Sequence, residues 1–190
     1  MVALIANGAD VKLVSQWYGP EIFQACQIGF PEVVKAMVEK GADINTDGTF
    51  FGQTEGSLLK GYTPLIIAAY ESNLDLVKYL MGAGAKTDAT VEGKFFSPKT
   101  KCLTKVADKT AIYYAIENGN MEMVKFLAES GKSWATTLKV RQVKEHSTES
   151  VVGGVAYVTT CFGAGVYTPS LYAKEAKEEE IKTYLKSKGL

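Results

Sequence analysis

Apolar residues along this chain fall into two kinds of pattern. In the first they recur every three or four positions, as in Leu76, Val77 and Leu80 or Met123, Val124 and Leu127, a spacing that gathers side chains on one face of a helix. In the second they alternate with polar residues, as in Leu138-Lys139-Val140-Arg141, the period of a half-exposed strand. The helical stretches come in pairs. Thr63-Pro64-Leu65-Ile66-Ile67-Ala68-Ala69 precedes Leu74-Asp75-Leu76-Val77-Lys78-Tyr79-Leu80, and Gly84 closes the unit. The same frame opens at Thr110 and closes at Gly131, opens at Pro20 and closes at Gly41, and opens at Thr168 and closes at Gly189, each time over 21 residues. A spacing met four times with matched residue types is an internal repeat, and it fixes the reading of the whole chain.

The residues of one unit explain its shape. A threonine at the start can cap a helix through its hydroxyl, and a proline next to it fits the first helical position, where a missing N–H costs nothing. The small residues Ala25, Ala68, Ala115 and Ala173, five places on, let the first helix approach its neighbour closely. The closing glycine suits the left-handed position that ends the second helix. Two helices this short cannot bury their apolar faces alone, so the units must stack as a solenoid.

The run Thr63-Pro64-Leu65 with Ala68-Ala69, and the turns Gly41-Ala42-Asp43-Ile44-Asn45 and Gly84-Ala85, resemble the T-P-L-H-x-A signature and the G-A-D-V-N turn of the ankyrin-repeat family. The resemblance implies a mainly α fold, an α-solenoid of stacked helix pairs within a single domain over 1–190. It contains a partial repeat over 1–14 and repeats over about 19–43, 61–86, 108–132 and 167–190. The histidine of the family signature is replaced by Phe23, Ile66, Tyr113 and Leu171, which removes a hydrogen-bonding group that links turns in the family.

The closing glycines Gly8, Gly41, Gly84, Gly131 and Gly189 are 33, 43, 47 and 58 residues apart, against a family period of about 33. The excess lies between a closing glycine and the next unit, where an ankyrin stack carries its β-hairpin finger. Three elongated fingers are therefore expected, over about 44–60, 87–107 and 133–166. The second reads as strands over 91–96 and 101–106 around Ser97-Pro98-Lys99-Thr100. The third reads as a strand over 138–141 with a return over 155–160. Three adjacent hairpins can pair into one small antiparallel sheet that shelters their edges. Independent loops are the competing picture.

At the ends, the polar run over 174–180 suits a last repeat with one face in water. Residues 1–10 align with the second half of a repeat and would leave an apolar stacking face bare. Such a face suggests preceding repeats or a degenerate cap.

Composition narrows the function classes. With 21 Lys+Arg against 21 Asp+Glu the formal charge is zero, and a protein that coats nucleic acid or anionic lipid needs a basic surplus. No apolar run reaches the length of a membrane span. Three cysteines, Cys26, Cys102 and Cys161, make no disulfide framework and point to a reducing compartment, cytoplasmic before exported or periplasmic. Cys26 reads as buried packing, and a Cys102–Cys161 bridge would require export. His146, the sole histidine, lies in a hairpin tip without a recognisable catalytic partner. No metal-ligand spacing, dinucleotide fingerprint or P-loop occurs. Neither an enzyme nor a cofactor is expected.

The resemblance implies protein–protein recognition through the concave face of fingers and first helices, by a chain expected to be monomeric. Along the fingers charge is uneven: six lysines against three acids from Lys86 to Lys109, and Lys60 against three acids from Ala42 to Tyr62. The candidate contact residues are Phe50, Phe51, Tyr62, Tyr70, Glu71, Phe95, Phe96, Glu117, Asn118, Trp134 and Tyr157, because aromatic anchors dominate interfaces. In the competing reading, half or more of the finger aromatics fill the hairpin cores. Two alternatives stand beside it. The chain is the targeting domain of a larger enzyme or secreted effector, or the hairpins hold a small ligand between Phe95, Phe96, Tyr157 and Phe162.

Overall fold

A computed structural model describes residues 1–15, 19–49, 58–97, 102–130, 138–142, 165–167, 173 and 178–190. Among the described residues there are eight helices, α1 (Val2–Ala6), α2 (Glu21–Ile28), α3 (Pro31–Glu39), α4 (Pro64–Tyr70), α5 (Leu74–Gly82), α6 (Ala111–Glu117), α7 (Met121–Glu129) and α8 (Glu179–Ser187). The strands are β1 (Val14–Ser15), β2 (Gly19–Pro20), β3 (Leu58–Lys60), β4 (Val91–Ser97), β5 (Cys102–Lys109), β6 (Leu138–Gln142) and β7 (Gly165–Tyr167).

The helices form two rows. α2 packs on α3, α4 on α5 and α6 on α7, while α2, α4 and α6 stack in one row and α1, α3 and α5 in the other. Tight stacking follows from the small residues, since Ala68, Ala69 and Ala115 are completely buried beside Ile66, Ile67, Ile112, Leu76 and Leu80. Each large apolar side chain so enclosed contributes about 1.5–3 kcal/mol.

Helix starts and stops come from local chemistry. The Thr63 hydroxyl accepts from the Ile66 N–H at 3.4 Å, with Pro64 in the first turn. Thr110 occupies the same place before α6, yet its buried hydroxyl has no hydrogen-bond partner, so capping by threonine holds in one unit and not in the other. The second helices are capped instead by Asn73 and Asn120, whose side-chain oxygens accept from the Leu76 and Met123 N–H groups at 3.0 Å. Gly41 and Gly84 adopt φ of +88° and +94°. Behind them the N–H groups of Ala42 and Ala85 reach back five residues to Met37 and Leu80 at 2.9 Å. This is the closing pattern that a left-handed residue permits.

Asparagine amides also tie the units together. Asn73 Nδ2 donates to the Gly29 carbonyl at 3.3 Å, and Asn118 Nδ2 donates to the Tyr70 carbonyl at 2.8 Å and to Ser72 Oγ at 2.9 Å. The N–H of Lys86 donates to Asn45 Oδ1 at 2.7 Å. Side-chain links between neighbouring turns thus exist without the family histidine.

Segments between the helix pairs build a five-stranded antiparallel sheet in the order β3-β4-β5-β6-β7. Leu58 stands opposite Lys94, Phe95 opposite Thr104, Val106 opposite Val140, and Leu138 opposite Tyr167. The strands expected over 91–96, 101–106 and 138–141 correspond to β4, β5 and β6. The expected return over 155–160 lies outside the described residues, and β7 is the neighbour of β6. At the C-terminal end Tyr184 donates to Glu129 Oε1 at 2.8 Å and Lys188 pairs with Glu129 at 3.4 Å, fastening α8 to α7.

Candidate functional site

Among the described residues the one buried charged side chain lies where β5 runs into α6. Val91 pairs with Lys109 and Gly93 with Val106, so the register slips between them and two residues, Ala107 and Asp108, stand opposite Glu92. A slip of this kind bends a strand and re-aims the side chains that follow. Asp108 adopts φ +63°, a left-handed conformation that strains a residue with a Cβ. The result is that Lys109, next in the chain, turns its whole side chain inward and is completely buried.

Inside, its ammonium meets two partners. Nζ lies 2.6 Å from Glu117 Oε2, and 3.9 Å from the centroid of the Tyr114 ring. Tyr114 in turn donates its hydroxyl hydrogen to Tyr62 Oη at 3.1 Å. The rings of Tyr62 and Tyr114 are 6.1 Å apart, and Tyr70 meets Tyr114 edge-on at 5.7 Å. Burial disfavours the charged lysine and lowers its pKa, while the Glu117 carboxylate opposes that shift. Burial likewise raises Tyr62 and Tyr70 above the ordinary phenol value. An ammonium clasped by a carboxylate and a π-face is an anchor rather than an amine presented to a substrate.

The repeat explains why these residues meet. Lys109 holds the position in its unit that Tyr62 holds in the unit before, directly ahead of Thr110 and Thr63, and Glu117 holds the position of Tyr70. Equivalent positions of stacked units are neighbours in space. Among the sequence candidates the structure therefore brings Tyr62, Tyr70 and Glu117 together. Tyr62 is buried, Tyr70, Glu71 and Glu117 are half-buried, and Asn118 is exposed with its amide donating to the preceding unit. Phe50, Phe51, Trp134 and Tyr157 lie outside the described residues, as do Phe162, His146 and Cys161. Phe95 and Phe96 are placed only as backbone in β4, opposite Thr104 and Leu103.

Two members of the cluster were not legible as such. Lys109 counted toward the basic surplus of the second insertion, but the structure buries it, and that surplus is smaller at the surface. Tyr114 is not among the sequence candidates. The available signal was positional, a lysine at the place a tyrosine fills one unit earlier. Cys26 is buried and its thiol is pushed up to about 12 by burial, in keeping with packing and not reactivity. Among the described residues no group of three His, Cys, Asp or Glu could hold a metal ion, and no helix is long and apolar enough to cross a membrane.

Comparison with known proteins agrees with this architecture. A family model described as ankyrin repeats (3 copies) matches residues 1–92, and one described as ankyrin repeat matches residues 108–136. The chain is also similar to alpha-latrocrustotoxin-Lt1a of Latrodectus tredecimguttatus, with 36% identity over 87 residues. That stretch is 45% of this chain and 5% of the relative, so the likeness spans only a small part of the longer protein.

Proposed function

The chain belongs to the ankyrin-repeat family, and from that premise we propose that it recognises another protein without performing chemistry of its own. Domains of this family are typically non-catalytic interaction modules. The contact surface we infer is the concave edge where the first helices α2, α4 and α6 meet the inserted strands. In this reading 1–190 is one domain with repeats over about 19–43, 61–86, 108–132 and 167–190, and the five-stranded sheet is the union of lengthened fingers. The domain acts as a monomer and needs no cofactor.

The observation that carries the reading is the Lys109–Glu117–Tyr114–Tyr62 cluster. It joins the sheet to the row of first helices through an ion pair 2.6 Å long whose lysine is fully buried and whose glutamate is partly exposed, so the two halves of the surface are held in one arrangement before a partner arrives. Preordering lowers the entropic cost of association. Tyr70, which meets the Tyr114 ring of this anchor edge-on, is taken together with Glu71 and Glu117 as the central patch, and Tyr62 is buried. A second reading, the targeting domain of a larger enzyme or secreted effector, draws support from the likeness to a short stretch of a protein named as a toxin.

The test is affinity capture with the native chain, with a Tyr70→Ser/Glu71→Lys variant, and with a Glu39→Lys control on the far face of α3. The expected result is a set of proteins retained by the native chain and the control but lost with the double variant. Equal capture by all three would place recognition elsewhere.

A further inference from the structure

Consecutive units of the solenoid meet through their turns as well as their helices. Between the second and third turns the link is direct, because the Lys86 N–H donates to Asn45 Oδ1 at 2.7 Å. Asn45 stands four residues after its closing glycine, Gly41, and Lys86 two residues after Gly84. Counted the same way, the first turn sets Lys12, four residues after Gly8, against the N–H of Asp43, two residues after Gly41. A lysine side chain donates and cannot accept, so this pair cannot repeat the link. Lys12 bonds only through its backbone N–H, to Asp10 Oδ1 at 2.8 Å. Among the described residues neither its ammonium nor the Asp43 N–H has a hydrogen-bond partner.

A cavity of about 270 Å³ lies between these two turns. One wall is the first turn with the start of α2, contributing Val11, Lys12, Leu13 and Ile22; the other is the second turn, contributing Gly41, Asp43 and Thr46. Val11 and Ile22 are buried, while Leu13 is exposed at the rim. The Lys12 ammonium reaches across to the second turn, since a Cβ built on Gly41 would lie 3.8 Å from Cε and 4.0 Å from Nζ. Asp43 is the one acid in the lining, and its Oδ1 accepts from the Asn45 N–H at 2.8 Å. An ammonium, a backbone N–H and the Thr46 hydroxyl thus line one space beside apolar side chains.

We propose that this cavity binds a carboxylate carried on a single apolar group, with one carboxylate oxygen taking the place that Asn45 Oδ1 fills at the next turn. The Asp43 N–H and the Lys12 ammonium would both donate to it, and hydrogen bonds to a charged acceptor are the stronger kind. The apolar group would rest on Val11, Leu13 and Ile22. The volume falls just below the roughly 300–1,000 Å³ of pockets that enclose drug-sized ligands, so the space suits one residue and not a longer segment. Such a ligand is either the last residue of a peptide chain or a free small acid. The site stands apart from the patch of Tyr70, Glu71 and Glu117.

The experiment follows the Asp43 amide signal of the intact chain by proton–nitrogen NMR during titration. N-acetyl-leucine supplies a free carboxylate, N-acetyl-leucinamide is its neutral twin, and an acetylated tetrapeptide ending in leucine supplies a chain end. Saturable movement of the Asp43 signal is expected with both acids, and binding roughly tenfold or more weaker with the amide. Tighter binding of the tetrapeptide than of N-acetyl-leucine would identify the ligand as a chain end, and equal binding as a free small acid; each upholds the carboxylate site. Lys12 is exposed, so circular dichroism of its variants should match the native chain. Lys12→Arg should retain binding. Lys12→Asn should abolish it, because the new amide oxygen takes the Asp43 N–H as Asn45 takes that of Lys86. No saturable movement, equal binding of acid and amide, or undiminished binding by Lys12→Asn overturns the proposal.

Discussion

Two junctions in this molecule perform the same task with different residues. At the first, Gly61-Tyr62-Thr63 carries the chain from β3 into α4. At the second, Asp108-Lys109-Thr110 carries it from β5 into α6. Both put a positive φ ahead of the helix, +85° at Gly61 and +63° at Asp108. In the first junction every residue suits its place: a glycine at the left-handed position, a tyrosine filling the core, a threonine that caps. In the second a side-chain-bearing residue takes the left-handed position, a lysine is buried, and the threonine hydroxyl is left without a partner. The second junction resembles sites kept for what they hold rather than for stability. What it holds is the sheet against the first helices.

The comparison can be broken most severely at Gly61. A Cβ there would lie 2.3 Å from the Thr90 carbonyl oxygen, in addition to the positive φ. Gly61→Ala should cost about 3 kcal/mol in urea unfolding. Gly84→Ala, at φ +94° with nothing within 4 Å of the new Cβ, should cost only about 1 kcal/mol. Equal losses would mean that the crowding at the first junction has no energetic weight.

Threonine to valine should act with opposite sign at the two junctions. Thr63→Val removes a capping acceptor and should destabilise by about 1 kcal/mol. Thr110→Val removes a buried hydroxyl that has no partner and should be neutral or stabilising by up to about 1 kcal/mol. Chemical denaturation of both variants decides it, and destabilisation by both would deny the contrast. Asp108→Gly should stabilise by about 0.5–1 kcal/mol through relief of the left-handed strain, read as a rise in melting temperature.

The smallest effect is a pH dependence. Burial raises the Tyr62 hydroxyl pKa in the folded state, so the folded chain holds that proton more tightly than the unfolded chain. The stability this contributes is complete below the unfolded tyrosine value of about 10 and is lost as pH rises above it. Lys109 acts in the reverse sense, since its lowered pKa carries a penalty that lifts as the unfolded lysine deprotonates. Tyr62→Phe should flatten the alkaline loss in denaturation curves measured between about pH 9 and 11. An unchanged slope would mean that another group dominates it.

These contrasts show what the sequence could and could not disclose. The helix pairs were legible because Leu76, Val77 and Leu80 repeat at helical spacing, and the stops because Gly41 and Gly84 stand at the left-handed positions. The strands β4, β5 and β6 were legible from alternation and turn residues. Burial of Lys109 was not, since a lysine reads as surface unless its partner is known. The register slip at Asp108 left no mark either, because no glycine announces the positive φ. Asn118 read as a surface contact, whereas its amide is engaged with the preceding unit, a role that only the stacked arrangement reveals.

The most direct test of the anchor is native-state hydrogen exchange on the intact chain and on Lys109→Met. The substitution leaves Glu117 partly exposed without its cation, so the overall loss should be about 2–3 kcal/mol, below that of a fully enclosed pair. The expected result is faster exchange concentrated in the paired amides of β4 and β5 and at the start of α6, with α4 and α5 protected as before. Uniform acceleration across all helices, or an unchanged sheet, would contradict the claim that Lys109 holds the sheet to the solenoid.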